Sequence, residues 1–288
     1  MRNFLYRIIY KKHDSRLIKE VENRRQEEYF DKILSNYRDQ FYQHINQIKE
    51  LVDQRDWNAV VKYIRILTLG YNFNVANDCL SRGDFYNELG LLCNEFEDLI
   101  SKIDDKCEIK SYYLGYSVED EPYFKNPNNY RLDKERISYN IADRPIIVRP
   151  WNASRILNNL RYINHENILN SDKDRKNIKN YYFFPMDLIL CHGGNHSQLS
   201  ALLQGEGTSA IETIYDIRPL YNKIRFNGNE FISKTDDRCF LSMKKNDQKI
   251  TLQEKYLLGL FFETGRLLEK HIDYFPKAIS GIVEKNRN

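Results

Sequence analysis

Two adjacent glycines, Gly193 and Gly194, cut short an apolar run that includes Leu188, Ile189 and Leu190. Asn195 and Ser197 follow as candidate helix caps, and Leu199, Leu202 and Leu203 then recur at helical spacing. Gly205-Glu206-Gly207 ends that helix, and the run from Ala210 to Tyr215 is β-branched and alternating enough for a second strand. Residues 185–217 therefore spell strand, glycine turn, helix, strand, the unit of a mixed α/β region.

A glycine turn feeding a helix leaves backbone N–H groups without partners, and the helix dipole adds roughly half a positive charge there. Phosphate or carboxylate suits such a place. Gly193 and Gly194 would admit an anion close to the backbone, while Asn195, His196 and Ser197 supply donors and an imidazole, with His192 just before the pair. The plainer alternative is a turn whose polar residues only cap and satisfy the backbone. For acid–base or nucleophilic chemistry, His196 is the candidate base and Ser197 or Cys191 the candidate nucleophile. Glu206 or Asp187 would orient an imidazole, and His192 either binds phosphate or hydrogen-bonds the turn. His192 and His196 are four apart, but Gly193-Gly194 keeps them off one helix face. No recognised spacing with His165, Asp187 or Glu206 completes a metal set, so no metal ligand is assigned.

The same segment resembles the nucleotide-binding box of the ParB/sulfiredoxin-like superfamily, which runs Gly-x-His-Arg or Gly-x-Arg-Arg, an Ala-containing helix, a glycine and a strand. Gly194, Asn195 and His196 match Gly-x-His, and Ala201 and Gly205 match the later Ala and Gly. Ser197 stands where the box usually has its phosphate-holding Arg, and Arg149 or Arg155 is the candidate replacement from a neighbouring element. The resemblance covers some thirty residues, and about eighty with the strand and helix before the box. It implies nucleotide binding, with magnesium if the ligand is a triphosphate. The Gly-Gly-Asn-His-Ser form is also similar to uncharacterised bacterial proteins of the kind found in phage-defence contexts.

Net charge is +3, from 44 basic and 41 acidic residues, so no overall field steers the chain to nucleic acid or a membrane. Mean hydropathy is −0.67, but 21 Tyr and 15 Phe argue against disorder. The five cysteines are widely spaced with no Cys-x-x-Cys pair, which fits a reduced, cytoplasmic setting. The first twelve residues are interrupted by Arg7 and too short for a signal sequence, and no uncharged run is long enough to span a bilayer.

Residues 1–110 read as a helical region. Ile33, Leu34, Tyr37, Phe41, Ile45, Ile48 and Leu51 mark one long amphipathic helix, which Leu17, Ile18 and Val21 extend backwards. A second helix runs from Trp57 to Leu69 and closes at Gly70, and a third starts at Asp84. Residues 111–130, with five tyrosines, two prolines and a central acidic run, read as a linker or ordered loop. Residues 131–288 are the α/β domain: a strand at 144–149, a helix capped by Asn152, the glycine box, and an Asn227-Gly228 type I′ hairpin. A further strand at 239–243 and a last helix at 251–270, with Thr251 and Glu254 as a capping box, complete it.

The fold expected is α+β. The function expected is binding of a nucleotide or other phosphorylated ligand at Gly193, Gly194, Asn195 and Ser197 with Arg149, and His192, His196 and Glu206 carrying any hydrolysis or phosphotransfer as a defence effector. A non-enzymatic interaction or sensor protein docking or self-associating through its N-terminal helices is the alternative. A nuclease or nucleic-acid binder has only dispersed Lys, Arg and Tyr behind it.

Overall fold

The structure, a computed structural model, describes residues 2–82, 109–115, 128–173, 176–242 and 252–286, with side chains from position 24 onward except 25 and 26. Helix α1 (Arg2–Asp53) is continuous over 52 residues. Its buried positions Leu34, Phe41, Ile48 and Val52 lie on one face, as 3.6-residue periodicity requires. Arg55, at φ 56°, ends it in the left-handed conformation common at helix C-termini. Asp56 then opens α2 (Trp57–Arg82) by accepting the Ala59 N–H at 3.1 Å. The sequence places the end of α2 at Gly70, but the helix runs on to Arg82. An interior glycine costs only about 1 kcal/mol, and Tyr71, Asn72, Ala76 and Cys79 beyond it are all buried. The third helix expected from Asp84 lies outside the described residues.

The strands are β1 (Lys110–Leu114), β2 (Asn129–Leu132), β3 (Ile137–Asn140), β4 (Ile146–Ile147), β5 (Lys179–Phe184), β6 (Leu188–Gly193), β7 (Thr208–Ile211), β8 (Thr213–Asp216), β9 (Ile224–Phe226), β10 (Glu230–Ser233) and β11 (Cys239–Ser242). Six form a mixed sheet in the order β2-β1-β8-β5-β6-β4. Neighbours are parallel at β2/β1, β8/β5 and β6/β4, and antiparallel at β1/β8 and β5/β6. β3 pairs with β7, and β9 to β11 form an antiparallel meander.

Three local expectations change. Residues 111–114, read as the start of a loop, lie in β1, where Tyr112 and Leu114 are fully buried. The single strand expected at 210–215 is two, because Glu212 breaks the run and turns to an ion pair with Arg136 at 2.8 Å. The Asn227-Gly228 hairpin exists, but only Gly228 has positive φ. The Asn227 side chain accepts the N–H groups of Asn229 and Glu230, which makes an Asx-type turn rather than type I′.

Two further helices, α3 (Ala153–Tyr162) and α4 (Asn195–Gln204), flank the sheet near β4 and β6, and α5 (Leu252–Leu268) and α6 (Lys277–Lys285) close the chain. α1 packs on α5, with Tyr37 and Tyr256 ring centroids 4.9 Å apart, and Phe41 meets Phe226 of β9 edge-on at 5.3 Å. Glu254, expected in a capping box with Thr251, is buried and accepts the Tyr71 hydroxyl at 2.7 Å, while Thr251 lies outside the described residues. The Asn72 amide of α2 donates to the Ile146 carbonyl at 2.8 Å and accepts the Val148 N–H at 2.9 Å. The architecture is α+β: two N-terminal helices followed by a mixed α/β region built on the six-stranded sheet. Among the described residues no helix is long and apolar enough to cross a membrane.

Candidate functional site

β6 is buried from Leu188 to Cys191, as a strand covered on both faces should be, and ends at Gly193. Gly194 adopts φ 77° and is the N-cap of α4, with no side-chain cap. A Cβ on Gly193 would sit 2.6 Å from the Asn177 carbonyl oxygen, so this glycine admits a neighbouring backbone. The side chains expected to cap the helix are used elsewhere. Asn195 Oδ1 accepts the Arg149 N–H at 2.6 Å, and Ser197 Oγ accepts from Asn159 Nδ2 at 3.2 Å. The first helical bond is from the Gln198 N–H to the Gly194 carbonyl at 2.9 Å. Among the described residues, the N–H groups of Asn195, His196 and Ser197 therefore have no acceptor.

The residues that carry these N–H groups line a cleft of about 530 Å³ between α3 and α4. Asn152 caps α3 by accepting the Arg155 N–H at 2.7 Å, which sets the rotation of the helix. Trp151, Arg155, Asn158, Asn159 and Tyr162 form one wall, and Asn177 and residues 192–197 the other. The Arg155 guanidinium lies over the Trp151 ring, 4.8 Å from its centroid, and has no carboxylate partner among the described residues. No Asp or Glu among the described residues lines the cleft.

His196 is only 6% exposed, and its Nε2 accepts the N–H groups of Trp151 at 3.3 Å and Asn152 at 3.2 Å. Backbone N–H can only donate, so the neutral ring carries its proton on Nδ1. No acceptor meets Nδ1 among the described residues. Burial, with the nearby Arg155 charge, pushes the His196 pKa down to about 4. To act as a base, the ring would have to give up both backbone bonds.

His192 lies at the cleft's rim, stacked on Tyr181 at 5.1 Å. Burial first, and then Lys179, holds its pKa below the ordinary histidine value. Of the two arginines considered as replacements for the missing one, Arg155 lines the cleft and Arg149 does not. The Arg149 side chain is buried 3.3 Å from Glu254, and only its backbone N–H reaches the box. Glu206 lies past the far end of the ten-residue α4, paired with His165 at 3.2 Å, and is not brought to the cleft. Asp187 is fully buried, accepting from Tyr182 at 2.8 Å and Tyr274 at 2.6 Å. Cys191 is buried too, its Sγ donating to the Gly193 carbonyl at 2.9 Å. No cluster of three or more potential metal ligands occurs among the described residues.

The structure thus brings His192, Gly193, Gly194, Asn195, His196 and Ser197 together with Arg155. The residues that sequence reasoning missed are Trp151, Asn158, Asn159, Tyr162 and Asn177. A signal was present: Trp151, Arg155, Asn158, Asn159 and Tyr162 share one helical stripe, with Trp151 38% and Tyr162 69% exposed. No curated protein and no solved structure matches the chain. A family model does match, over residues 15–274, and the chain belongs to that family, described as a family of unknown function (DUF6710).

Proposed function

We propose that the cleft between α3 and α4 binds a nucleotide or another phosphorylated ligand. The observation that carries this is the convergence, across one cavity, of Asn195, His196 and Ser197, whose N–H groups have no acceptor among the described residues, with Arg155, whose guanidinium has no carboxylate partner among them. Tyr162, 69% exposed, adds an aromatic face on which a base can stack, and Trp151 backs the Arg155 guanidinium. The order of strand, glycine turn, helix, glycine and strand agrees with the ParB/sulfiredoxin-like resemblance, and Arg155 takes the part of the arginine replaced by Ser197. If the ligand is transformed, His192 is our candidate for moving a proton, because the His196 Nε2 is occupied by two backbone N–H groups.

A thermal-shift screen with ATP, GTP, CTP, UTP, ADP-ribose and NAD, each with and without magnesium, tests this. A ligand at ~100 times its dissociation constant adds about 2.7 kcal/mol. Stabilisation that disappears in Arg155→Gln is the expected result, and no shift with any of the six, nor with AMP, GMP, CMP or UMP added to the screen, removes the reading.

A second reading, self-association through the N-terminal helices, has its own observation. Ile66, Phe73 and Leu80 are exposed on α2 at intervals of seven, with Gly70 between the first two and open space around it. That spacing suits pairing with the same helix of a second copy. If Phe73→Glu leaves the mass measured by light scattering unchanged and monomeric, this reading is lost.

A further inference from the structure

We propose that the ligand of this cleft is a phosphate monoester bound without a divalent cation, its charge met by Arg155 and its oxygens by the N-terminal N–H groups of α4. This rests on the nucleotide-binding reading above and narrows it.

The first ground is the lining. Magnesium sites at nucleotide phosphates use one or two protein carboxylates beside the phosphates themselves. The cleft has none among the described residues, and the nearest acidic groups of the box region are committed elsewhere: Glu206 to His165, and Asp187 to two tyrosines. A triphosphate entering with its metal would find no carboxylate to hold the metal among the described residues of the cleft.

The second ground is charge. A phosphomonoester carries about −1.5 to −2 at neutral pH. Arg155 offers one positive charge and the α4 N-terminus roughly half of another. Lys179, beside His192 at the rim, is a further cation within reach of the mouth. This matches a single phosphate, whereas each additional phosphate would add negative charge that no further cation among the described cleft residues offsets.

The third ground is His196, which is a built hydrogen-bond donor. The ring is nine-tenths buried and lines the cleft, and two backbone N–H groups occupy Nε2. Nδ1–H is thereby fixed as a donor and lacks an acceptor among the described residues. Nδ1 is not among the fully buried polar atoms, so a ligand oxygen in the cleft can replace water as its acceptor. An uncoordinated phosphate oxygen can accept that bond, whereas an oxygen already bound to magnesium accepts it less well. His196 acts here as a positioning group, and no bond is made or broken by it.

Calorimetric titration of the full chain with AMP, GMP, CMP and UMP, in EDTA and again in excess magnesium, tests the proposal, with ATP titrated under both conditions for comparison. The expected result is binding of at least one monophosphate in EDTA, unchanged or weaker with magnesium, and tighter than ATP. Arg155→Gln should weaken it about tenfold or more, and Arg155→Lys should restore part of the loss. Binding that requires magnesium, or ATP with magnesium binding tighter than every monophosphate, overturns this inference and leaves the nucleotide reading standing. Absence of binding by all five probes in both conditions overturns the two together.

Discussion

An imidazole beside a glycine turn invites assignment as a base, and only the fold decides which of its nitrogens is free. In His196 the donors that occupy Nε2 come from Trp151 and Asn152, more than forty residues upstream. Local sequence cannot register such a contact. The folded pKa of about 4 lies below the ordinary value of 6.5, so the neutral form is the one folding favours. Its contribution is complete above pH 6.5 and is lost as pH falls towards 4. His192, lowered in the same direction, adds to that loss, while Asp187, whose carboxyl burial pushes up, opposes it. Urea titrations from pH 7.5 to 4.5 should therefore show wild type losing stability relative to His196→Gln, which cannot titrate. A constant difference between the two would mean that the ring is not held as a neutral acceptor. The two arginines offer a second contrast. Arg149→Ala strands the buried Glu254 carboxylate and should cost about 3–5 kcal/mol. Arg155→Ala, on an exposed helix face, should change stability by no more than about 0.5 kcal/mol. Equal losses in chemical denaturation would refute the separation of structural from ligand-binding arginine.

Elements were legible where periodicity and capping agreed. The apolar run of β6, the glycine turn between β6 and α4, the Asn152 cap of α3 and the long face of α1 all follow from neighbours in sequence, whereas Gly194, and not Asn195 or Ser197, caps α4. β1 was hidden because its tyrosines sit beside a Pro- and Asn-rich stretch, and its partner β8 lies about a hundred residues downstream. Helix α2 outran its glycine because burial farther along outweighed a local preference. The two kinds of glycine should respond oppositely to alanine. At Gly193 the new methyl meets the Asn177 carbonyl at 2.6 Å, and overpacking of this sort costs about 1–3 kcal/mol. At Gly70 nothing lies within 4 Å, so alanine should add about 1 kcal/mol in helix propensity. Urea midpoints moving down for Gly193→Ala and up for Gly70→Ala check both, and a loss at Gly70 would indicate that the open face beside it is covered in solution.

On the scale of the molecule, α1 and α2 share buried contacts with the α/β region through Phe41 and Phe226, Tyr71 and Glu254, and Asn72 and β4. The two tryptophans report on the two parts, Trp57 at the start of α2 and Trp151 at the cleft. Single-tryptophan variants, Trp57→Phe and Trp151→Phe, should give coincident fluorescence transitions in denaturant, since shared burial couples the two parts. Separate midpoints would show that the helices melt as their own unit. Asn72 carries a consequence beyond anchoring. β4 is the outermost strand of its sheet, and the Ile146 carbonyl and Val148 N–H that the Asn72 amide engages point away from β6. One side-chain amide thus imitates the next strand and blunts a sheet edge that would otherwise template pairing with another chain. Asn72→Leu would uncover that edge as well as weaken the fold, so its first symptom should be intermolecular β-aggregation rather than simple loss of helix.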